Sequence, residues 1–423
     1  MLKPDQNLLL TQTGPGTPMG ELFRRYWVPA LLSEELPEPD CPPVRVKLLS
    51  EKLIAFKDSE GNLGLIDEFC AHRGVSLYFG RNEEGGLRCP YHGWKYDVNG
   101  HCLDVPSEPE DSHFKKKVKL KAYPCVEQGG VIWTYMGPPA LKPDLPALEW
   151  VTVPADRRFV SKRLQECNYL QAMEGGFDSI HSLFLHKYSV GEDPLLKRDS
   201  ESLVYIKADP HPKFIPMESP GGLYITTRRN AEGNKYHWRV TQWLMPWYNL
   251  FPPYEGNPMG GHAWVPIDDE NCWTWSMDYH PDRPLTGQEL EAMRAGKGIH
   301  VQYISGTYRP LANKDNDYLL DRVAQKQKKT FSGIEEVSVQ DAAVQESMGP
   351  IQDRTKEHLV SSDNGIIMMR QRLLKTALAN REGIHPPGLD AAAQRVRAAT
   401  VVLPREVTLQ EVAKEVLMAK FFT

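Results

Sequence analysis

Two short stretches near the N-terminus decide how this chain is interpreted: Cys70-Ala-His72 and Cys89-Pro-Tyr-His92. Each stretch supplies one thiol and one imidazole, and sixteen residues separate the two stretches. Thiolate sulfur and imidazole nitrogen together bind transition metals. The pattern therefore predicts a metal site that is held between the tips of two loops.

The order of the ligands distinguishes two kinds of metal site. Zinc sites with two cysteines and two histidines usually place both cysteines in one loop and both histidines in the other. Here each loop carries one of each, as in a Rieske [2Fe-2S] cluster, where cysteines bind one iron and histidines the other. Gly74 and Gly93 follow the two loops and favour close backbone turns around the cluster. We therefore predict a Rieske cluster bound by the four residues, with a zinc-stabilised interaction module as the alternative.

Length and composition favour a soluble protein of two or three domains. The chain has 423 residues, of which 41% are hydrophobic and 25% charged, as in average globular proteins. Its net charge of −5 argues against a nucleic-acid-binding protein. Seven widely spaced cysteines argue against a disulfide framework and favour a reducing compartment. Because no signal peptide and no membrane-length apolar run are recognisable, we expect a cytoplasmic location.

We expect an N-terminal segment over residues 1–45, a Rieske domain over 44–145 and a catalytic domain over 146–423. Short alternating strands and turns predict an antiparallel β fold for the Rieske domain. Within it, the lysine-rich stretch 115–121 alternates with Val118 and Leu120 and predicts a strand with one solvent-facing side. That stretch also suggests a docking surface for an acidic electron donor.

The catalytic domain is predicted to be α+β, with an antiparallel sheet surrounded by helices in a helix-grip-like arrangement. Strand-like patterns cover residues 222–227, 235–244, 262–267 and 272–277. Helical patterns cover residues 166–188, 285–295, 341–347, 366–378 and 409–421.

A second metal site is suggested inside the first of these helical stretches. Asp178 and His181 are three residues apart and share a face of a helix, whereas His186 lies five residues further along. A local distortion of the helix would bring the two imidazoles together. Two histidines and one carboxylate form the facial triad of non-heme iron oxygenases. Such histidines often serve structure alone, but the one-electron carrier upstream needs an acceptor.

Together these features resemble the large subunit of a Rieske non-heme iron aromatic-ring-hydroxylating oxygenase. The block N-x-x-Q-x-x-E-G-x-x-D-x-x-H-x-x-x-x-H of that family is matched by Asn168, Gln171, Glu174, Asp178, His181 and His186. The resemblance covers nearly the whole chain. Residues 316–318 and 340–351 are closest to the phthalate-dioxygenase-like branch, in which one type of subunit makes the oxygenase.

The resemblance implies that His181 and His186 bind a mononuclear Fe(II) together with a carboxylate from a distant helix. We assign Asp341 as this carboxylate because it opens a helix-like stretch in the family's usual place. Asp353 and Glu346 are the alternatives. The polar residues of the N-x-x-Q-x-x-E block either shape the entrance to the iron or form a polar packing face.

The resemblance also implies a route for electrons. Family members associate head to tail as homotrimers, with pairing of trimers into a hexamer left open. Asp178 is then expected to connect a cluster histidine of one subunit to an iron histidine of the next, unless it only caps a helix. Because the chain carries no G-x-G-x-x-G motif, we expect a separate NADH-dependent reductase with flavin and a plant-type iron–sulfur cluster.

The expected reaction is the cis-dihydroxylation of an aromatic carboxylate with O2, since the branch acts on phthalate, isophthalate and substituted benzoates. A buried carboxylate needs a cationic or hydrogen-bonding partner. Candidates are Lys207, Arg239 and Ser179, with Arg228 and Arg229 on the same predicted sheet. One alternative is a Rieske monooxygenase, an O-demethylase or hydroxylase acting on a related aromatic acid. An alternative of another class is an electron-transfer Rieske protein without oxygenase activity.

Overall fold

The computed structural model describes residues 2–109, 111–178, 180–188, 195, 201–209 and 211–420. The chain forms two compact units. The smaller unit contains Gly14–Gly16 and Phe23–Pro143, and the larger contains Met1–Thr13, Thr17–Leu22 and Asp144–Thr423. Among the described residues, no helix is both long enough and apolar enough to span a membrane.

The smaller unit consists of short antiparallel strands, as predicted. Its strands are β1 Trp27–Leu32, β2 Val44–Leu48, β3 Glu51–Lys57, β4 Leu63–Asp67, β5 Arg81–Glu83, β6 Gly86–Arg88, β7 Lys95–Tyr96, β8 Cys102–Asp104, β9 Ala122–Tyr123, β10 Cys125–Gln128 and β11 Val131–Tyr135. They form three sheets in the orders β1-β11-β10, β2-β3-β4-β9 and β5-β6-β7-β8. Short 3-10 helices cover Ser33–Glu35, Leu77–Phe79, Phe114–Lys117 and Pro139–Leu141.

The strand predicted for residues 115–121 is wrong. The first part of this stretch belongs to the 3-10 helix Phe114–Lys117, and regular pairing begins only in β9. Val118 and Leu120 do pack on the apolar core, which explains the alternation in the sequence. Their backbones bond irregularly, however, because Leu120 N donates to Gly100 O and Val118 O accepts from Cys102 N.

The larger unit combines a nine-stranded antiparallel sheet with helices. The helices are α1 Pro4–Thr11, α2 Pro18–Phe23, α3 Glu149–Thr152, α4 Tyr169–Phe177, α5 His181–Phe184, α6 Glu201–Ala208, α7 Gly287–Arg294, α8 Arg322–Lys326, α9 Val337–Glu346, α10 Asn364–Arg381, α11 Ala391–Gln394 and α12 Leu409–Val416. The strands are β12 Arg158–Gln165, β13 Lys213–Phe214, β14 Met217–Glu218, β15 Gly222–Ala231, β16 Lys235–Leu244, β17 Tyr248–Leu250, β18 Met259–Pro266, β19 Cys272–Tyr279 and β20 Ala399–Pro404. Further 3-10 helices cover Ala155–Arg157, Lys314–Leu319, Arg354–Lys356 and Ser361–Asp363.

The sheet follows the order β12-β19-β18-β17-β16-β15-β13, with β14 paired to β15 and β20 paired to β16. The four predicted strand patterns correspond to β15, β16, β18 and β19, and are therefore confirmed. Long strands form there because aromatic and β-branched residues alternate with smaller or polar ones. Helix α4 approaches this sheet closely because Gly176 has no side chain. A Cβ at Gly176 would lie 2.5 Å from the ring of Trp264 in β18.

The prediction of one helix over residues 166–188 is wrong, because α4 ends at Phe177 and α5 begins at His181. Asp178, between them, has an extended backbone with φ −83° and ψ 100°. Its Oδ1 accepts the backbone N–H groups of Ile180 at 2.7 Å and His181 at 3.3 Å. An aspartate that binds the following amides in this way favours the start of a new helix over the continuation of the old one.

Asp341 does not open its helix, contrary to the prediction. Helix α9 begins at Val337, so Asp341 lies one turn inside it. The β-branched residues Val337 and Val339 have low helix propensity and conceal the true start in the sequence.

Candidate metal centres and substrate cavity

The two Cys/His loops of the smaller unit form the same hydrogen-bonded backbone turn. Gly74 N donates to Cys70 O at 2.9 Å, and Gly93 N donates to Cys89 O at 3.0 Å. Both glycines have a positive φ, of +71° and +76°, which strains other residues. The expectation of close turns after both loops is confirmed.

The side chains of the four predicted cluster ligands lie close together. The ring centroids of His72 and His92 are 4.5 Å apart, and both cysteine residues are buried. The hydroxyl of Tyr96 lies 3.2 Å from Cys70 Sγ and accepts the backbone N–H that follows this cysteine. A hydrogen bond to a ligand sulfur stabilises its negative charge and is one way to tune a cluster's potential.

Two buried polar atoms beside these ligands test whether a cluster fits. Neither His92 Nδ1 nor Trp94 Nε1 has a hydrogen-bond partner among the described residues. Buried polar atoms are normally paired. An iron atom would use the imidazole lone pair, and an inorganic sulfide would accept the indole N–H. The loop residues therefore fit a Rieske cluster.

A second metal group lies in the larger unit, where His181, His186 and Asp341 converge. The two Nε2 atoms are 3.1 Å apart, and Asp341 Oδ1 lies 3.4 Å from His181 Nε2 and 3.2 Å from His186 Nε2. The corners of such a triangle lie about 1.9 Å from its centre, close to the roughly 2.0–2.2 Å bonds of zinc to nitrogen and oxygen. The donor atoms therefore fit a first-row metal ion, and the set has the composition of a facial triad.

The tautomer of His186 is fixed by its neighbour Gln340. The Gln340 amide nitrogen donates to the backbone oxygens of Ile334 at 2.7 Å and Glu335 at 3.2 Å. Its Oε1, which can only accept, lies 2.7 Å from His186 Nδ1. His186 therefore carries its proton on Nδ1 and directs its Nε2 lone pair towards His181 and Asp341, as a metal ligand would.

The carboxylate of the triad is ionised. Burial opposes the charge of Asp341, but His186 and His181 more than offset this and lower its pKa to about 2. An ionised carboxylate beside two imidazoles is the charge distribution that attracts a divalent cation.

Asp178 lies beside this group. Its Oδ2 is 3.7 Å from His181 Nδ1, and its side chain is about one-third exposed. The two alternative carboxylates lie outside the group. Asp353 binds Thr355 and Lys356, and Glu346 accepts the Tyr318 hydroxyl at 2.6 Å.

The polar block on α4 is a packing face. Asn168 and Gln171 are buried and bind backbone groups of neighbouring segments. Glu174 accepts hydrogen bonds from two buried arginines, Arg354 at 3.0 Å and Arg370 at 2.6 Å. The contacts of Gln171 and Glu174 fix α4 on α9 and on the segments that follow it, whereas Asn168 binds Thr11 O and Asp269 O. None of the three residues lines the cavity beside the metal group.

A cavity of about 1020 Å³ opens onto the metal group. Its wall includes the cationic residues Arg163, Lys207, Arg229 and Arg239. Apolar and aromatic parts of the wall come from Leu183, Phe184, Phe251, Tyr254 and Trp264. The cavity thus offers an apolar site with a few cationic groups next to a metal, as expected for an aromatic acid.

Arg239 faces this cavity from β16. It donates from Nη2 to Pro252 O at 2.8 Å, and its guanidinium lies 4.2 Å from the ring centroid of Tyr254. Its buried Nη1 has no partner among the described residues. Arg229 is also buried and is held by Asp209 O and Thr227 Oγ1. Burial, reinforced by Arg239, lowers the pKa of Arg229 to about 10.

The other predicted substrate contacts differ in position. Lys207 lies on α6, not on the sheet, and reaches the cavity from an exposed position. Arg228 stacks on Tyr236 at 4.0 Å and does not line the cavity. Ser179 lies outside the residues that the structure describes.

Arg163 and His262 are cavity residues that the sequence interpretation missed. Arg163 lies on β12, which we did not predict, because the consecutive polar residues 161–163 interrupt any strand-like alternation there. His262 lies on β18, and its Nδ1 is 3.2 Å from Trp275 O. Burial, followed by the charge of Arg163, lowers the pKa of His262 to about 3, so it is neutral.

Comparison with known proteins agrees with this geometry. Residues 26–124 match the Rieske [2Fe-2S] domain, and residues 134–415 match the LigXa C-terminal domain like family. The 3-chlorobenzoate-3,4-dioxygenase oxygenase subunit of Comamonas testosteroni is 39% identical over 399 residues, which cover 91% of each chain. This chain is a Rieske non-heme iron oxygenase.

This Rieske oxygenase belongs to the phthalate-dioxygenase-like branch. The phthalate 4,5-dioxygenase oxygenase subunit of Pseudomonas putida is 37% identical over 390 residues, covering 90% of this chain and 88% of the relative. Among solved structures, dicamba monooxygenase bound to dicamba has a TM-score of 0.57 at 17% identity. The superposition covers 85% of this chain and 98% of the dicamba monooxygenase chain, and it confirms the predicted α+β fold.

The Rieske oxygenase uses two iron cofactors, a [2Fe-2S] cluster and a mononuclear iron, as predicted. A match to the second domain rules out an electron carrier that consists of a Rieske domain alone. The zinc alternative is likewise wrong.

Proposed function

We propose that this Rieske oxygenase cis-dihydroxylates an aromatic carboxylate, using O2 and electrons from a separate reductase. The observation that carries the proposal is the position of Arg239, which lines the same cavity as the metal group and has a buried, unpaired Nη1. The names of the relatives from Comamonas and Pseudomonas, which refer to 3-chlorobenzoate and phthalate, support an aromatic acid.

In this proposal Cys70, His72, Cys89 and His92 hold the [2Fe-2S] cluster, and His181, His186 and Asp341 hold the mononuclear iron. When bound, these groups supply one-electron transfer and the activation of O2, respectively. Gln340 keeps His186 in the tautomer that can bind metal. The apolar wall excludes water from the reacting ring and holds it beside the metal group.

Arg239 is proposed as the main contact of the substrate carboxylate, because a buried guanidinium N–H without a partner is available for a charge-assisted hydrogen bond. Pro252 O and the Tyr254 ring hold the guanidinium in place. Arg229 adds positive charge from a fixed position. Lys207 attracts the acid from the exposed side of the cavity, and the hydroxyl of Ser179 remains a proposed contact.

Asp178 is proposed as the connection between the two iron centres of neighbouring subunits in a head-to-tail homotrimer. One of its oxygens caps α5, and the other lies near His181 Nδ1. The exposed part of the carboxylate is available to an imidazole N–H of a neighbouring subunit.

We propose that the electron donor is an NADH-dependent reductase with flavin and a plant-type iron–sulfur cluster. The 3-10 helix Phe114–Lys117 supports a docking role, because its three lysines are exposed. Phe114 contacts Trp94 at 5.8 Å between centroids, and Trp94 stacks on the cluster ligand His72 at 4.7 Å. We also propose a cytoplasmic location, which the seven unpaired cysteines support.

A monooxygenase acting on a related aromatic acid is the second candidate, because the 5,5'-dehydrodivanillate O-demethylase oxygenase subunit of a Sphingobium species is 31% identical over 385 residues. For both candidate reactions, substrate-dependent O2 uptake tests whether the substrate needs a carboxylate. Benzoate-type acids are expected to stimulate O2 uptake by the reduced enzyme, whereas the corresponding amides are not. Equal stimulation by acids and amides would contradict the role of Arg239.

A further inference from the structure

Helix α6 forms part of the cavity wall but is weakly packed. Its residues Leu203, Ile206 and Lys207 line the cavity. Of its eight residues, all of which the structure describes, only Ser202 is buried, and Val204 is 59% exposed. A helix that buries so little apolar surface gains little from packing, so its attachment depends on the polar group that it does bury.

Ser202 attaches α6 through a hydrogen bond to Glu255. Its hydroxyl donates to Glu255 Oε1 at 2.5 Å, and its backbone N–H donates to Glu255 Oε2 at 3.4 Å. Because the hydroxyl has one hydrogen, it accepts from His237 Nε2, which lies 3.2 Å away. Burial, reinforced by Arg239 and Arg229, lowers the pKa of His237 to about 4, so this neutral ring carries its single proton on Nε2. The serine hydroxyl therefore both donates and accepts.

The acceptor Glu255 belongs to a segment that is fixed on the sheet. Pro252 O accepts from Arg239 of β16 at 2.8 Å, and Pro253 O accepts from Thr400 of β20 at 2.7 Å. Both strands belong to the nine-stranded sheet. Breaking the contact with α6 therefore frees the helix and leaves the segment that holds it in place.

We propose that α6 is a movable wall of the cavity and that Ser202 is the positioning residue that fastens it. When the contact with Glu255 opens, the helix moves away from the sheet and the cavity exchanges its contents with solvent. When the contact closes, Leu203 and Ile206 return to the bound ligand and exclude water from it. This inference goes beyond the proposed function and rests on it only for the choice of ligand.

Hydrogen exchange of α6, measured by mass spectrometry on the iron-loaded enzyme, tests the fastening without a ligand. Amides of α6 are expected to exchange faster than those of β16, because their opening is local. Ser202→Ala should speed exchange in α6 by about 10- to 100-fold, the usual effect of losing one hydrogen bond to a charged group. Alanine is the better helix former, so helix propensity alone would slow the exchange. Unchanged exchange in β16 shows that the variant is folded.

Ligand kinetics test the movement. Binding and release of phthalate can be followed anaerobically by stopped-flow fluorescence, because Trp264 lines the cavity. Since a movable wall opens for both events, Ser202→Ala should raise the association and dissociation rates by a similar factor, about 10- to 100-fold, and leave Kd within about threefold. A fixed wall that only contacts the ligand would instead change the dissociation rate and Kd.

Two further variants serve as controls. Glu255→Ala removes the other partner of the same hydrogen bond, so the double variant should exchange no faster than either single variant. Val204→Ala changes an exposed residue of the same helix that does not line the cavity. It should leave the exchange of α6 and both rates within about twofold.

Unchanged exchange of α6 in both Ser202→Ala and Glu255→Ala would overturn the fastening. An unchanged association rate together with a weaker Kd would overturn the movement. Failure of the proposed function gives a different result, because no aromatic acid would then bind or support O2 uptake, while the exchange of α6 would still respond to Ser202→Ala.

Discussion

Gln340 Oε1 lies 2.7 Å from His186 Nδ1, and Gln340 directly precedes Asp341 on α9. One short segment therefore supplies both the carboxylate of the metal group and the residue that orients one of its histidines. Because Gln340 also binds two backbone oxygens, its orientation is fixed before a metal arrives. Such outer contacts commonly determine how well a site holds its metal.

Replacing Gln340 by leucine should weaken iron binding by about 10- to 100-fold, because His186 loses the acceptor that fixes its tautomer and orientation. Iron affinity can be measured by chelator competition. The visible spectrum of the Rieske cluster should stay unchanged and serves as the control for folding. An unchanged iron affinity would show that Gln340 has no such role.

Replacing Arg239 by glutamine should lower kcat/KM for aromatic acids by about 10- to 100-fold, the usual effect of losing one hydrogen bond to a charged group. Steady-state O2 uptake measures this change. Arg228→Gln is the matched control, since Arg228 lies on the neighbouring strand and does not line the cavity. An equal loss in both variants would argue against a carboxylate contact at Arg239.

Replacing Asp178 by asparagine should preserve the fold and both metals but remove most turnover. Asparagine can still cap α5 through its side-chain oxygen. It has no charge with which to bind imidazole N–H groups on two sides. Reduction of the cluster should remain normal, while its reoxidation by O2 in the presence of substrate should become slow in a stopped-flow experiment. Normal turnover would refute the bridge.

Glu174 is predicted to be a major contributor to stability. Its replacement by glutamine leaves the fully buried Arg354 without its anion, whereas Arg370 keeps Glu357. Removing one partner of a buried ion pair typically costs about 3–5 kcal/mol. Urea unfolding of the variant measures this loss. An exposed pair, Lys356 with Asp353, provides the control, since its removal should cost less than about 1 kcal/mol.

The contribution of Glu174 also depends on pH. Burial opposes its charge, but the two arginines more than offset this and lower the pKa of Glu174 below its usual value. Its stabilisation is therefore fully present above the unfolded pKa of about 4.3 and is lost as the pH falls through the folded pKa. The difference in stability between wild type and Glu174→Gln should shrink in that acidic range. A constant difference down to pH 2 would contradict this assignment.

The parts of the sites that the sequence predicted are local. Cys70 to His72 and Cys89 to His92 lie in short loops, so their spacing alone indicates a shared metal. His181 and His186 are also close in sequence. The helical pattern around Asp178, however, gives no sign that one helix ends and another begins there. The role of Asp341 came from family resemblance, because its contact with two histidines crosses more than 150 residues of sequence.

The parts that the sequence did not predict depend on tertiary burial. Arg163 lines the cavity only in the folded sheet, and the polar run around it gives no sign of that position. The tautomer of His186 likewise depends on which carbonyls Gln340 meets in the folded chain. In the smaller unit, the alternating residues 115–121 do not form the predicted strand. Leu120 N donates to Gly100 O there instead of taking part in a regular ladder of hydrogen bonds.

We propose that the metal group of His181, His186 and Asp341 cis-dihydroxylates the ring of an aromatic acid held in the adjacent cavity. Turnover of phthalate under 18O2 by the reduced wild-type enzyme, followed by mass spectrometry, tests it most directly. We expect wild type to form a cis-dihydrodiol that contains two labelled oxygen atoms, whereas Asp341→Ala with an intact cluster spectrum should form none. A product with one labelled oxygen, or an unchanged yield in Asp341→Ala, would contradict it.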